Sequence, residues 1–388
     1  MNYDLDKLID RSGTYSEKWN IREGELPMWV ADMDFETAPE IKQAILERAM
    51  HGVFGYSYVP DEWYEAYIRW WDRRYGYKMD RDSLQFCTGV VPAISASIRA
   101  LTEPRDKVIL LTPVYNHFFY AIKNNGRVPV ECPLVYAADH FEIDWDDMEK
   151  VCADPHASLM IFCNPHNPTG SFWNKDELRK VGEICSRNGV TVISDEIHCD
   201  LTEPSLRYIP FAAVNDINKA ISITCLAPSK TFNIAGLSSA AVSVPDKSLR
   251  AKVQKALHAS EITEPNVFAV QTAIAAYEHG EPWLEEIRKY VFDNKKYIRD
   301  FIAGNIPELK DVSGSCTYLS WIDARRLGGK AAGFAKKLRQ ETGLWIVDGK
   351  VYGKAGEGYL RINAASPRSM VEEGMKRLKD GTVMIYNE

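Results

Sequence analysis

Short apolar runs alternate with segments of helical periodicity through the central part of the chain. The apolar runs predict strands at residues 85–88, 107–111, 127–131, 158–163, 190–194, 220–226 and 240–244. Several of these runs are apolar almost throughout, which is typical of strands covered on both faces. Helical patterns lie between them, for example at 92–101 and 175–188. Strands that alternate with helices predict crossover connections and a mostly parallel sheet.

The pattern changes near Glu281. A long charged helix is predicted at 283–305, and strands near 318–323, 344–347 and 359–363 precede a final helix that starts at Pro367. We therefore predict an α/β fold with a mostly parallel central sheet flanked by helices, and a smaller α+β domain. The large domain would span residues 46–280. The small domain would combine residues 1–45, which include an N-terminal arm, with residues 281–388.

Composition and charge exclude several classes of protein. Hydrophobic residues make up 45% and charged residues 26% of the 388 residues, which is ordinary for a globular enzyme and unlike a disordered or fibrous chain. The net charge of -7 and the scattered lysines and arginines argue against a nucleic-acid partner. No apolar stretch approaches the length of a membrane span, and the first residues lack the apolar core of a signal peptide. We expect neither a membrane nor a nucleic acid as a partner.

The eight cysteines form no Cys-x-x-Cys pair, and several lie inside apolar runs. Cysteine in that setting usually behaves as a small buried hydrophobic residue. We therefore expect reduced cysteines and a cytoplasmic location.

Four segments that follow predicted strands carry unusual polar residues. Residues 164–170 read Asn-Pro-His-Asn-Pro-Thr-Gly, and the two Asn-Pro steps predict a rigid loop that aims the Asn167 amide. Asp195 ends another strand, where a buried carboxylate needs a cationic partner. Lys230 lies between an apolar strand and a run of small residues, and a desolvated lysine can form Schiff bases. Gly89 joins a strand to a helix whose N-terminus can attract phosphate.

Each of these features also has a plainer interpretation. The Asn-Pro loop can be an ordinary turn, Asp195 can cap the next element, and an isolated lysine normally lies on the surface. Asp195 and His198 can also ligate a metal, but no third ligand follows at a recognisable spacing, so no metal is expected. The sequence contains no Walker motif and no Gly-x-Gly-x-x-Gly after a strand, so nothing supports a nicotinamide dinucleotide.

In order and spacing, these segments resemble the fold-type I enzymes that use pyridoxal 5'-phosphate (PLP), the aminotransferase class I/II superfamily. The resemblance covers nearly the whole chain. It implies that Lys230 forms the Schiff base with PLP, Asp195 contacts the pyridine nitrogen and Asn167 contacts the phenolate oxygen. The remaining residues placed at the cofactor are Tyr115, His198, Ser229 and the backbone of Gly89, Val90 and Val91. Arg361 would bind the substrate α-carboxylate, a bidentate role that suits arginine.

The N-terminal part is similar to the MalY/PatB group of cystathionine β-lyases, or C–S lyases. The similar segments read Lys-Trp-Asn at 18–20, Leu-Pro-Met-Trp-Val-Ala-Asp-Met-Asp-Phe at 26–35 and Gly-Val-Phe-Gly-Tyr at 52–56. The resemblance implies a homodimer with shared active sites, in which Tyr56 reaches the phosphate of the neighbouring subunit's cofactor. It also implies that Trp29 and Asp32 border the substrate pocket. His198 stands where many aminotransferases carry tyrosine, and this departure favours the lyase group.

The reaction implied by this resemblance is a β-elimination on an amino acid that carries a sulfur leaving group on its β-carbon. The freed Lys230 amine removes the α-proton and a thiolate leaves the β-carbon, so that L-cystathionine or a related cysteine S-conjugate yields pyruvate, ammonia and a thiol. An aminotransferase of small or aromatic amino acids shares the proton removal and is the alternative. A PLP-binding regulatory protein with little turnover is a remoter alternative, because binding alone does not require a nucleophilic lysine.

Overall fold

The computed structural model describes residues 3–387, which contain fifteen strands, thirteen α-helices and six short 3-10 helices. The strands are β1 Leu26–Pro27, β2 Leu84–Cys87, β3 Lys107–Thr112, β4 Val128–Pro133, β5 Val135–Ala137, β6 His140–Glu142, β7 Ala157–Cys163, β8 Thr191–Asp195, β9 Ser222–Leu226, β10 Ala240–Ser243, β11 Lys310–Asp311, β12 Leu319–Asp323, β13 Leu344–Trp345, β14 Val347–Asp348 and β15 Tyr359–Asn363. The helices are α1 Pro39–His51, α2 Asp61–Tyr75, α3 Val90–Leu101, α4 Asn116–Asn124, α5 Trp145–Cys152, α6 Lys175–Arg187, α7 Asp216–Ile221, α8 Pro228–Thr231, α9 Lys247–Ala259, α10 Ala269–His279, α11 Glu281–Asn305, α12 Phe334–Thr342 and α13 Arg368–Asn387.

A seven-stranded sheet forms the centre of the molecule, in the order β2-β10-β9-β8-β7-β3-β4. The five strands from β9 to β4 are parallel to one another, and β10 is antiparallel to both of its neighbours. The predicted fold class, a mostly parallel sheet flanked by helices, is therefore confirmed. In β3, Val108 and Leu110 pack with the helix residue Ile94, whereas Ile109 packs on the opposite face with Leu178. Helices thus cover both faces, which explains the nearly continuous apolar runs.

The predicted strands of this sheet are present, with ends that differ by one or two residues. The largest difference lies at Ala220 and Ile221, which were expected in a strand but form the end of α7. The physical reason is a local cap: the Asn215 side chain accepts a hydrogen bond from the backbone N–H of Asn218 at 2.8 Å and starts a short helix. The strand therefore begins at Ser222.

A second, four-stranded antiparallel sheet has the order β11-β12-β15-β14. It packs on α11, α12 and α13 through an apolar cluster that includes Ile298, Phe334 and Val371. We predicted a single strand at 344–347, and this prediction is wrong in one respect. The segment forms two short strands, one on either side of Ile346. One of them, β13, pairs with β1 of the N-terminal arm, and the other, β14, pairs with β15. The chain therefore changes partner within four residues.

The N-terminal part contains two helices that the apolar pattern did not predict. Helix α2 buries Trp63, Trp70 and Trp71 completely, and the Trp70 ring lies 5.2 Å from the ring of Tyr277 on α10. Helix α1 spans the predicted domain boundary between residues 45 and 46. The division into two domains stays a prediction, and its outermost residues, 1–2 and 388, lie outside the described part.

All eight cysteine side chains are buried and free. Within residues 3–387, no helix has the length and apolar character that a membrane crossing requires. In the same part of the chain, His, Cys, Asp and Glu side chains form no group of three or more that could hold a metal ion. The cytoplasmic location stays a prediction, because none of these findings identifies a compartment.

Candidate active site

Three neighbouring strands bring the predicted site residues to one edge of the central sheet. In the register of the parallel strands, Cys163 at the end of β7 pairs with Asp195 at the end of β8, and Asp195 pairs with Cys225 of β9. The Asn167 loop leaves β7, and Lys230 follows β9 after three further residues. Because the strands are parallel and in register, their carboxyl ends lie side by side, as ligand sites of open α/β sheets require.

The loop after β7 is buried and fixed by its own hydrogen bonds. His166 is fully buried, and its ring nitrogens lie 2.9 Å from Thr169 Oγ1 and 3.1 Å from the Leu111 carbonyl. Asn167 is also buried, but its Oδ1 has no hydrogen-bond partner among the residues that the structure describes. Buried polar atoms are rarely left unpaired, so this amide is available to a ligand.

Asp195 carries a buried carboxylate with few hydrogen-bond partners. It is 4% exposed, and its Oδ1 accepts a hydrogen bond of 3.2 Å from the backbone N–H of Ile197. Burial raises the pKa of Asp195 to about 6, although that hydrogen bond and the charge of Lys230 act in the opposite direction. No cationic side chain within residues 3–387 forms an ion pair with it. A buried carboxylate in this state favours a cationic ligand.

Lys230 lies on the short helix α8 and is half-buried. Its Nζ donates a hydrogen bond of 2.6 Å to the Ala31 carbonyl of the N-terminal arm. Burial lowers the pKa of Lys230 to about 8; the charge of Arg361 adds to this effect, and Asp32 and Asp195 oppose it. A lysine with a pKa this low is partly neutral at physiological pH, as a nucleophile or a base must be.

Arg361 reaches the same place from β15. It is 5% exposed, its Nη2 donates a hydrogen bond of 2.7 Å to the Trp29 carbonyl, and its guanidinium carbon lies 5.1 Å from the centre of the Tyr352 ring. Its Nε is buried and has no partner in the described part of the chain. This guanidinium therefore retains a donor for a carboxylate, in the planar geometry that such recognition uses.

Two ring systems border the cluster. Tyr115 precedes α4, is half-buried and stacks on the His117 ring at 4.8 Å between centroids. Burial raises the pKa of Tyr115 to about 12. His198 is buried, with its ring 5.8 Å from that of Tyr318 and its Nδ1 unpaired within residues 3–387. Burial, followed by the charges of Lys230 and Arg361, lowers the pKa of His198 to about 3, so its ring is neutral.

The Trp29–Asp32 segment lines the site, and distant side chains hold each of its backbone carbonyls. Arg361 binds the Trp29 carbonyl, and Asn363 Nδ2 donates to those of Val30 at 2.7 Å and Asp32 at 2.6 Å. Lys230 Nζ and the Tyr318 hydroxyl both donate to the Ala31 carbonyl, the latter at 2.8 Å. Sequence reasoning missed Tyr318 and Asn363. The sequence places each of them at one end of a predicted strand, and nothing in the apolar pattern of those strands indicates a role at the site.

Helix α3 begins beside the ends of the central strands. Gly89 is its N-cap residue, and no side chain among the described residues 3–387 caps this end, so the backbone N–H groups of Val90 and Val91 in the first turn stay available. Such an N-terminus favours an anion. Ser229, next to Lys230, is half-buried and is the second predicted contact for a phosphate.

Tyr56 does not join these residues in the single chain. Its side chain is fully exposed, at 103% of its reference area, in a segment where Val53, Phe54 and Tyr58 are also exposed. The single chain therefore leaves Tyr56 apart from the residues that converge on Lys230, and its role stays a prediction.

The convergent residues fit PLP chemically. Within residues 3–387 they offer a lysine amine of lowered pKa, a buried carboxylate without an ion-pair partner, the buried Asn167 amide with its Nδ2 donor and an uncapped helix N-terminus. These are the groups needed for a carbonyl, a ring nitrogen, a phenolate and a phosphate, respectively.

Comparison with known proteins gives concordant results. The family model described as aminotransferase class I and II matches residues 26–378. The chain is 39% identical to cystathionine beta-lyase PatB from Bacillus subtilis, over 98% of this chain and 99% of that protein. It is 36% identical to protein MalY from Escherichia coli, over 97% and 98%. Among solved structures, the PLP-bound C-S lyase from Staphylococcus hominis has a TM-score of 0.93 and 34% identity, over 98% and 99%.

Proposed function

Because the chain belongs to the aminotransferase class I and II family, we propose that it is a PLP-dependent carbon–sulfur β-lyase. It cleaves L-cystathionine or a related cysteine S-conjugate to pyruvate, ammonia and a thiol. One observation carries the proposal. The amine of Lys230, the unpaired carboxylate of Asp195 and the guanidinium of Arg361 meet in one cluster, in a chain that aligns from end to end with a cystathionine β-lyase.

PLP, when bound, withdraws electrons from the α-carbon of an amino acid. Lys230 would hold it covalently, Asp195 would keep its ring nitrogen charged and Asn167 would donate to its phenolate oxygen. The other residues proposed to hold the cofactor are Gly89, Val90, Val91 and Ser229 at the phosphate, and Tyr115 and His198 beside the ring.

The side chains of this protein then bind and orient the substrate. Arg361 binds the α-carboxylate through its unpaired Nε, and its bond to the Trp29 carbonyl keeps the guanidinium plane fixed. The Lys230 amine, which would be free once the substrate's amino group has taken its place, accepts the α-proton, and its lowered pKa keeps part of the amine neutral for this task. Expulsion of the thiolate from the β-carbon then competes with reprotonation. A difference of about 1.4 kcal/mol between the heights of the two barriers is enough to make one outcome tenfold faster than the other.

Trp29 and Asp32 form a fixed wall of the proposed substrate pocket. The Trp29 ring stacks on Trp345 at 4.3 Å, with an angle of 8° between the planes. Arg11 donates to both carboxylate oxygens of Asp32, at 3.2 and 2.8 Å. These contacts keep the wall in place when a substrate enters.

The experiment that tests this function compares products under identical conditions. Purified holoenzyme is incubated with cystathionine, and pyruvate and free thiol are measured together. The same protein is then given ordinary amino acids with a keto acid acceptor, and amino transfer is measured. The lyase proposal requires pyruvate and thiol in equal amounts and at the higher rate. Faster amino transfer with little thiol would establish the aminotransferase alternative.

We also propose a homodimer in which Tyr56 acts on the neighbouring subunit's cofactor phosphate. The side chains of Met50, Val53, Phe54 and Tyr58, which lie within six residues of Tyr56 in the chain, are also exposed, and a run of exposed apolar side chains of this kind favours a protein partner. Two inactive variants, Tyr56→Phe and Lys230→Ala, should recover activity when mixed and refolded, because one site of the hybrid has both residues. Absence of recovery in proven hybrids would contradict the proposal, provided that Tyr56→Phe alone is impaired.

A further inference from the structure

The Ala31 carbonyl accepts hydrogen bonds from two side chains that come from opposite parts of the chain. Lys230 Nζ donates to it at 2.6 Å, and the Tyr318 hydroxyl donates to it at 2.8 Å. The proposed proton acceptor and a tyrosine hydroxyl therefore share one oxygen. Nothing in the proposed reaction so far uses Tyr318.

Tyr318 is held firmly enough to act as a fixed donor. Its side chain is 1% exposed, and its carbonyl accepts from the backbone N–H of Ala364 at 2.9 Å. The buried Lys295 donates to the carbonyls of Gly314, Cys316 and Thr317 at 3.0, 2.9 and 3.2 Å, which ties down the turn that leads into Tyr318. The hydroxyl thus has a defined place beside the site.

The Ala31 carbonyl, by contrast, belongs to a segment without regular structure. The neighbouring carbonyls of Val30 and Asp32 are held by Asn363, so the peptide of Ala31 depends on Tyr318 and Lys230 themselves. Within residues 3–387, Tyr318 is the side-chain donor to this carbonyl besides Lys230, so it can hold the carbonyl when the Lys230 amine is engaged in the reaction.

We propose that Tyr318 is a positioning residue for Lys230, acting through the Ala31 carbonyl. Its hydroxyl fixes that oxygen as the acceptor for one N–H of the Lys230 amine and aims the nitrogen lone pair. By donating to the same oxygen, it also reduces the negative charge that would stabilise the ammonium form. The proposal rests on the proposed function, in which the Lys230 amine accepts the α-proton.

Tyr318 can play this part because it stays protonated. Burial raises the pKa of its hydroxyl, so it donates at every pH at which the enzyme works. The titratable and charged groups that face Lys230 are Asp32, His117, Asp195, His198 and Arg361. A change of Tyr318 to phenylalanine removes none of these, so a shift in the titration of Lys230 would report on the hydrogen bond itself.

The test uses two changes at position 318 that act in opposite directions. Tyr318→Phe removes the donor, and 3-fluorotyrosine in place of Tyr318 makes the hydroxyl a stronger donor. Tyr359→Phe is the matched control, because Tyr359 is a buried tyrosine of the neighbouring strand β15 whose ring contacts Arg325. The first readout is the pH midpoint of acylation at Lys230 in the full chain without cofactor, followed by mass spectrometry. The second is kcat and KM of the holoenzyme for cystathionine.

We expect the Lys230 midpoint to move to higher pH in Tyr318→Phe and to lower pH with 3-fluorotyrosine. A misplaced base should reduce kcat of Tyr318→Phe by about tenfold or more, with KM within about twofold. Tyr359→Phe should change neither readout.

An unchanged midpoint in both position-318 variants, or a shift of both in the same direction, would overturn the proposal. An equal loss of kcat in Tyr359→Phe would also overturn it, because general packing would then explain the loss. If Tyr318→Phe does not fold, the fluorinated variant retains the hydroxyl and decides the matter alone. If the wild-type holoenzyme releases no pyruvate, the proposed function fails, and the midpoints still decide the role of Tyr318.

Discussion

Asp34 and Asp195 are both buried carboxylates, but the regions around them are built in opposite ways. Asp34 is 2% exposed and accepts hydrogen bonds from the side chains of Arg11, Lys18, Trp19 and Ser366, at 2.8, 2.6, 2.8 and 2.7 Å. Asp195 is similarly buried, and its carboxylate accepts one bond, from a backbone N–H. One carboxylate is fully satisfied by the protein, and the other is not.

The pKa values of the two groups shift in opposite directions as a result. Burial alone would raise the pKa of Asp34, but the charge and hydrogen bond of Lys18, together with the hydrogen bonds of Trp19 and Ser366, hold the pKa below its ordinary value. Burial raises the pKa of Asp195 to about 6, and its single hydrogen bond does not compensate. A satisfied network of this kind stabilises the fold, whereas an unsatisfied buried charge marks a ligand site.

The largest expected effect in this comparison is the loss of turnover in Lys230→Ala. If Lys230 stabilised the Asp195 carboxylate as Lys18 stabilises the Asp34 carboxylate, removal of the Lys230 side chain would destabilise the chain. We expect instead that pyruvate release falls by about 10³-fold or more, because the nucleophile and base are lost, while thermal unfolding without cofactor is unchanged. Activity assays and thermal unfolding together check this. Lys18→Ala is the control and should unfold earlier. A marked loss of stability in Lys230→Ala would show that Lys230 stabilises the fold as Lys18 does, and would contradict the difference proposed between the two regions.

Asp34→Asn should produce the largest loss of stability. The substitution leaves the fully buried Lys18 ammonium without its nearest partner, and breaking a buried ion pair costs about 3–5 kcal/mol. The free energy of unfolding in urea measures the effect, and Asp195→Asn is the matched control with no expected loss. Equal stability of the two variants would remove the distinction between the two regions.

Asp195→Asn should instead reduce turnover, by about 10²-fold, because a fixed charge at the cofactor ring nitrogen is lost. Cofactor content should remain near that of the wild type, since Lys230 and the helix N-terminus are intact. Steady-state assays with cofactor quantified by absorbance make the measurement. Turnover close to that of the wild type would show that this carboxylate does not act on the ring.

The smallest effect concerns the stability of the cofactor-free chain as a function of pH. The folded pKa of Asp195, about 6, lies above its ordinary value of 3.8, so between these values the folded chain binds more protons than the unfolded chain. The contribution of Asp195 to stability therefore falls as pH rises through this window. Above pH 6, Asp195→Asn should be more stable than the wild type by up to roughly 3 kcal/mol.

Asp34 should show the opposite dependence. Its folded pKa is lowered, so its contribution is present above the unfolded pKa and is lost as pH falls through the folded pKa. Unfolding measured from about pH 2 to about pH 8 separates the two groups, because the Asp34 contribution is lost only below its ordinary pKa of 3.8. Parallel pH profiles for Asp195→Asn and the wild type would contradict the raised pKa of Asp195.

The pattern of apolar residues was sufficient to specify the central sheet and the part of the site that grows from it. Runs of apolar residues predicted the strands, and parallel strands of one sheet must end at one edge. For this reason the amino-acid sequence places Asn167, Asp195 and Lys230 together. Their roles and that of Arg361 came from a resemblance, and sequence patterning alone would have placed Arg361 on a strand without a partner.

The contacts of those residues, in contrast, depend on how distant parts of the chain come together. The contact of Lys230 with Ala31 joins residues 199 apart in the chain, and Tyr318 reaches the same carbonyl from a separation of 287 residues. Periodicity reports which face of an element is buried, but not which distant polar group it meets. Asp34 and Asp195 illustrate this limit: Asp34 stands between Met33 and Phe35 and Asp195 between Ser194 and Glu196, and neither pair of neighbours shows whether a cation pairs with the carboxylate. Whether a cation reaches such a carboxylate is decided by how the N-terminal arm folds back over the sheets.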